Sequence, residues 1–106
     1  MQVSSKIFIK LCLKRKTSPP MISEGVYQRK IIKQYEKDGY YVIKLSRTNK
    51  NGIPDLLCLK PVGDLVDVVF IEVKGKNGVV SPLQKFRKAE LEAFGFKNVL
   101  VERSSD

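Results

Sequence analysis

Asp55, Glu72 and Lys74 are the residues of this chain whose types and spacing could do chemistry together. Asp55 ends the segment Gly52-Ile53-Pro54-Asp55, and Glu72 and Lys74 lie in the run Ile71-Glu72-Val73-Lys74. In a β-strand, side chains two apart point the same way, about 6.6 Å apart along the strand. Glu72 and Lys74 therefore share a face, close enough to hold one water or metal-bound ligand between them. Two carboxylates and an amine converging on one spot outline a divalent-metal hydrolysis site, which makes phosphodiester cleavage the first hypothesis. The competing reading is a strand-edge salt bridge among the same three groups. An ion pair at the end of an apolar strand costs desolvation, however, and is weak as a source of stability.

Composition narrows the chemistry further. The chain of 106 residues has no histidine. That removes Ser-His and Cys-His catalysis and histidine metal ligands, and Cys12 and Cys58 alone cannot complete a structural zinc site. Two cysteines with no sign of export point to reduced thiols in the cytoplasm, of a bacterium or of a virus- or phage-infected host cell. The apolar run of residues 7–13 is broken by Lys10 and too short to span a bilayer, so no membrane role is expected. The formal net charge of +9 is unevenly placed. Residues 1–50 hold 12 Lys/Arg against 3 Asp/Glu, whereas residues 51–106 hold 8 of each. The first half is a polyanion-binding candidate, or alternatively a solvated basic face, and the second half carries the candidate chemistry.

The elements that must position these residues follow from periodicity and punctuation. Ile7, Ile9, Leu11 and Leu13 alternate as in a strand, and Lys14 to Pro20 reads as a basic linker. Residues 1–22 are therefore expected to form a basic N-terminal strand and arm, and residues 23–106 a single domain. Ser23 is a candidate N-cap for a helix from Glu24 to about Asp38, stopped by Gly39, with Tyr27, Ile31 and Tyr35 inward. Glu24 leans to the inward side as a candidate ligand, although a first-turn carboxylate also complements the helix dipole. Strands are expected over Tyr40–Leu45, Ile53–Leu59 and Val66–Lys74, with Lys60 to Asp64 turning the last two into an antiparallel hairpin. The near-continuous apolar third strand should be central and buried. Ser81-Pro82-Leu83-Gln84 opens a second helix with a capping box, running to about Phe94, and Asn98–Glu102 is the last strand.

The order αβββαβ, with Pro54-Asp55 on one core strand and Glu72-x-Lys74 on the next, resembles the PD-(D/E)xK nuclease superfamily, and within it the VRR-NUC domain nucleases. The likeness rests on Gly52-Ile53-Pro54-Asp55-Leu56, on Phe70-Ile71-Glu72-Val73-Lys74-Gly75 and on Ser81-Pro82-Leu83-Gln84, and covers about residues 23–102. A lone Glu-x-Lys is common, but here it ends an apolar strand seventeen positions after a Pro-Asp. The resemblance implies an α/β fold with a central mixed sheet flanked by two helices, plus the extra N-terminal strand. It implies Asp55, Glu72, Lys74 and Gln84 as catalytic residues. It also implies Mg²⁺ or Mn²⁺ held by Asp55, Glu72, the Val73 backbone carbonyl and Glu24. Gln84 can be read equally as the capping-box partner of Ser81. Arg47 and Lys50, with Lys44 and Lys76, are the candidates for phosphate contacts, and Gly52 and Gly75 would let backbone approach a phosphate closely.

The resulting expectation is a metal-dependent, structure-specific DNA endonuclease acting on branched or four-way (Holliday) junction DNA. Two symmetric cuts need two active sites, so a homodimer is expected, with the residue 7–13 strand paired or exchanged across the two-fold axis. Nothing in the sequence resembles a base-reading helix, a stacking platform or a zinc finger, which favours recognition by shape. The alternatives are a catalytically silent DNA-binding module of the same fold, a basic RNA-binding protein, and a restriction-type or helicase-coupled nuclease subunit.

Overall fold

The computed structural model describes residues 23–105. The first helix, α1, spans Glu24–Lys37. Ser23 caps it from an extended conformation, its hydroxyl accepting from the Val26 N–H at 3.2 Å. Gly39 ends it at φ 94, a left-handed turn that a side chain would resist. Strands β1 (Tyr41–Lys44), β2 (Leu56–Val62) and β3 (Leu65–Lys74) follow, then helix α2 (Pro82–Ala93) and strand β4 (Asn98–Arg103). The sheet order is β1-β2-β3-β4, antiparallel among the first three. β4 runs parallel to β3, and α2 supplies the crossover that a parallel pair requires. The expected N-terminal strand and arm lie outside the described residues.

Two boundaries differ from the expectation for physical reasons. β1 is one residue shorter at each end because its flanking residues bond elsewhere. The Tyr40 N–H goes back to the Tyr35 carbonyl at 2.9 Å, and the Leu45 N–H goes to the carbonyl of Asp55, ahead of β2, at 2.8 Å. β2 starts at Leu56, later than Ile53, and runs on through Pro61 to Val62. β1 has ended opposite Leu59, so the missing N–H of Pro61 breaks no ladder on that side. Only Gly63 and Asp64 then turn the hairpin, with Gly63 at φ 62.

The core lies between α1 and the sheet. Ile31 packs with Leu56, Cys58, Val69, Ile71 and Val73, and Tyr27, Ile32, Tyr35, Tyr40 and Val42 close its rim. Leu56, Ile71 and Val73 are fully buried, each contributing about 1.5–3 kcal/mol from burial alone. β3 is buried from Val69 to Val73, whereas its first residues, Leu65 and Val66, are exposed. The opposite face of the sheet is covered less completely. Phe70 and Val99 are buried there and Phe96 meets Phe70 edge-on at 5.1 Å, but no residue of α2 is buried.

Candidate active site

The site begins where β2 ends its pairing. Leu56 faces Ile71, so on that edge Val73 lies beyond the last paired residue. Asp55, one residue ahead of β2, fills the gap with its side chain: Oδ2 accepts the Val73 N–H at 2.8 Å. The carboxylate thus extends the ladder by one rung and is pinned to the catalytic-candidate strand. In a regular strand a residue's N–H and C=O point to the same edge, so the Val73 carbonyl faces Asp55 as well.

Glu72 points to the other face, toward α2. It is 6% exposed and shares a nearly filled crevice with Pro54, Val80, Val99 and Val101. Its Oε2 takes the Gln84 Nε2 amide at 2.8 Å and lies 3.4 Å from Lys74 Nζ. The other end of the Gln84 amide, Oε1, accepts the Ser81 N–H at 2.9 Å, and Ser81 Oγ in turn accepts the Gln84 N–H at 3.1 Å. The two readings of Gln84 are therefore compatible. The capping box orients the amide so that its NH₂ faces Glu72. The cap, the amide and the carboxylate form one chain of hydrogen bonds from the start of α2 to β3.

The electrostatics explain what such a site wants. Burial pushes the Glu72 carboxyl up to about 7, and the charge of Asp55 adds to this. Lys74 pulls in the opposite direction but does not restore an ordinary carboxylate, and Glu24 adds a further upward push. The buried Glu72 carboxylate and the Asp55 carboxylate beside the open hollow repel each other and, with a backbone carbonyl on the same edge, form a hard oxygen donor set that fits a divalent cation. Glu24 is exposed at the first position of α1 and reaches Glu72 only through its charge. Among the described residues no group of three or more acidic or cysteine side chains gathers as a metal cage. Mg²⁺ suits such a sparse set because it keeps several of its waters.

Beside Asp55 opens a hollow of about 440 Å³, lined by Arg47 and Lys50 with Ser46, Thr48, Asn51 and Gly52. Both cations therefore lie on the carboxylate side of the fold, within a loop that α2 anchors: Arg87 Nε donates to the Asn51 carbonyl at 2.8 Å. Gly52 adopts φ 82, and an added Cβ would lie 2.7 Å from Leu83 Cγ. Its lack of a side chain thus serves the packing of this loop on α2, while Gly75 has open space around it. Lys44 is exposed at the end of β1 and Lys76 is exposed just after β3.

Two residues that sequence reasoning missed hold the segment after Lys74. Arg103, at the end of β4, aims Nη1 at the carbonyls of Gly75 (3.3 Å), Lys76 (3.5 Å) and Gly78. Gly78 packs against Lys74, where an added Cβ would come within 3.2 Å of Lys74 Cδ. The turn thus folds back over the Lys74 stem. Arg103 lies 29 positions beyond Lys74, and only the parallel register Lys74↔Arg103 reveals the link.

The family model described as VRR-NUC domain matches residues 5–103, reaching upstream of residue 23 where the motif likeness begins. A solved structure titled "VRR_NUC domain" superposes with a TM-score of 0.66 at 34% sequence identity, over 77% of this chain and 85% of that one. No curated protein matches the chain.

Proposed function

From a chain that belongs to the VRR-NUC domain family, and so to a nuclease-type fold, we propose a Mg²⁺- or Mn²⁺-dependent endonuclease that hydrolyses DNA phosphodiesters. The observation that carries the proposal is the convergence of Asp55, Glu72, Lys74 and Gln84 where β2 stops pairing with β3. Asp55, Glu72 and the Val73 carbonyl would hold the ion, with Glu24 contributing charge from the start of α1. When bound, the ion supplies a Lewis acid that polarises the phosphate and acidifies a water. Lys74, 12% exposed and 3.4 Å from Glu72, orients the attacking water and offsets the charge that grows on the phosphoryl oxygens. Gln84 keeps Glu72 in place and lets its carboxylate share charge with a fixed donor. Arg47 and Lys50 grip phosphates from the adjoining hollow, with Lys44 and Lys76 as outer contacts.

Those contacts go to the backbone and not to base edges, so shape decides the substrate, and branched or four-way junction DNA is the reading we favour. The test is a cleavage gel with four-way, flap, single-stranded and linear duplex DNA, each with Mg²⁺, Mn²⁺ or EDTA. Cleavage should require the ion and be strongest on the branched substrates. Asp55→Asn, Glu72→Gln and Lys74→Met should each lose about 10²-fold or more in rate while still binding DNA. Undiminished cutting by any of the three would sink the site.

A further inference from the structure

The outward face of α1 carries four cations that no ion pair or side-chain hydrogen bond among the described residues explains. Arg29, Lys30, Lys33 and Lys37 stand 3, 4, 7 and 11 positions after Val26, the spacing of a single helix face. That face is opposite the one that buries Ile31 and packs Tyr27 and Tyr35. All four are exposed, and the ion pairs of the described domain lie elsewhere, at Lys74, Arg87 and Lys88. Val26, 44% exposed, with Arg29, Lys30 and Lys33 lines an open hollow of about 310 Å³. Like charges at i,i+4, here Arg29–Lys33 and Lys33–Lys37, each cost a few tenths of a kcal/mol in a helix. Lys37 complements the helix dipole in the last turn, but folding does not need Arg29, Lys30 or Lys33 to be charged, because the core on the other face would form equally well with neutral residues.

The helix that carries the stripe also begins beside the candidate site. The N-terminal end of α1 adjoins that site: Glu24 adds to the field at Glu72, and the Tyr27 hydroxyl donates to the Arg103 carbonyl at 3.3 Å. From Arg29 to Lys37 the stripe leads away for about 12 Å, eight residues at about 1.5 Å each. One DNA strand presents a phosphate about every 3.4 Å along the helix axis. Four cations over that length therefore match about four phosphates. We infer that the outward face of α1 is a docking track for the phosphate backbone of duplex DNA, separate from the loop cations beside Asp55. The inference rests on the nuclease reading for its choice of polyanion. It extends that reading by giving one duplex arm a place outside the site of cleavage.

The test is binding without cleavage, in EDTA, of the full chain to a labelled 20-base-pair duplex across a salt series. Lys30→Gln/Lys33→Gln keeps helix propensity and leaves the core untouched. Lys85→Gln/Lys97→Gln removes the same charge from exposed positions on α2 and ahead of β4. The α1 pair should weaken binding about tenfold or more at 100 mM salt and flatten the log K against log[salt] slope by about 1.8, two phosphates at about 0.9 each. The control pair should change the slope by less than half as much. At saturating DNA with metal present, the α1 pair should cut at the unaltered maximal rate with a raised KM. Equal effects of the two pairs, or an unchanged slope, would overturn the track. Tighter binding of duplex RNA with the same dependence on Lys30 and Lys33 would overturn its assignment to DNA. Absence of metal-dependent cutting by the wild type would strike the nuclease reading alone, since the binding comparison does not depend on it.

Discussion

With Glu72 pushed up to about 7, the free protein is only partly ionised at this residue near neutral pH, and a cation bound there would displace the remaining proton. The consequences for stability have a definite sign. The folded state binds this proton more tightly than the unfolded chain, whose glutamate titrates at 4.5. The stabilising contribution is therefore complete below about 4.5 and is lost as pH rises through about 7. The difference of about 2.5 units is worth on the order of 3 kcal/mol at the full extent. Urea midpoints in EDTA should fall between pH 5 and pH 8, and Glu72→Gln, which mimics the protonated form, should flatten that fall. A wild-type profile that rises or stays level over this window would refute the environment assigned to Glu72. Mn²⁺ should reverse the trend, since it favours the ionised carboxylate, and its shift of Tm should grow with pH. That Glu72 and Lys74 are neighbours was legible in the sequence because strand parity fixes which residues share a face, whereas Asp55, ahead of β2, was joined to them by its motif. The shift of Glu72 was not legible, because Pro54, Val80 and Val99 reach it from three different segments.

Element ends rather than element middles determine the site. Asp55 works because β2 begins one residue after it, and the shift of this boundary from Ile53 to Leu56 frees Pro54 to wall the Glu72 crevice. Periodicity cannot resolve such an end, since Ile53 and Leu57 look alike to a pattern. Ser81 and Gln84, by contrast, announce the start of α2 through local hydrogen bonds, and the capping box is present as expected. At Gly52, φ 82 and the 2.7 Å approach to Leu83 act together. Gly52→Ala should lower stability by about 1–3 kcal/mol and loosen the loop that bears Arg47 and Lys50. Thermal unfolding would register the first effect, and a raised KM at unchanged maximal rate the second. At the same, C-terminal end of β3, Arg103 is a positioning residue for the turn that covers Lys74. Arg103→Ala should raise the rate at which Lys74 is acetylated by an amine-specific reagent several-fold, read by mass spectrometry, and lower kcat about tenfold. Arg103→Lys, which can reach one carbonyl but cannot fork, should recover only part of both. Unchanged Lys74 reactivity in Arg103→Ala would remove the positioning role.

On the scale of the whole molecule, burial is lopsided. The α1 face of the sheet is buried around Ile31, Leu56 and Ile71, whereas on the other side Leu83, Phe86 and Phe94 of the α2 region and Val101 of β4, the edge strand among the described residues, stay exposed, Phe94 at 82%. Exposed apolar groups near an open strand edge are what a self-complementary interface uses. The cutting of two strands at a junction supplies an independent reason for pairing: the described domain carries one Asp55-Glu72-Lys74 cluster. We therefore expect light scattering to give twice the monomer mass at micromolar protein, through an isologous contact. Counting one site per chain already raises the expectation of a pair, but length and charge cannot name the contact face, because an interface is a property of a surface and not of a sequence period. Subunit mixing decides between pairing and repeated visits by a monomer. Wild type combined with excess Lys74→Met should form mixed dimers with one working centre, and these should leave singly nicked junctions as the main product. A monomer would continue to make both incisions independently, and inactive protein would merely compete for DNA, slowing both cuts alike. Accumulation of the single nick in proportion to the mixed-dimer fraction would thus tie the two centres to one binding event. Slowing without that accumulation would leave each chain as an independent nuclease.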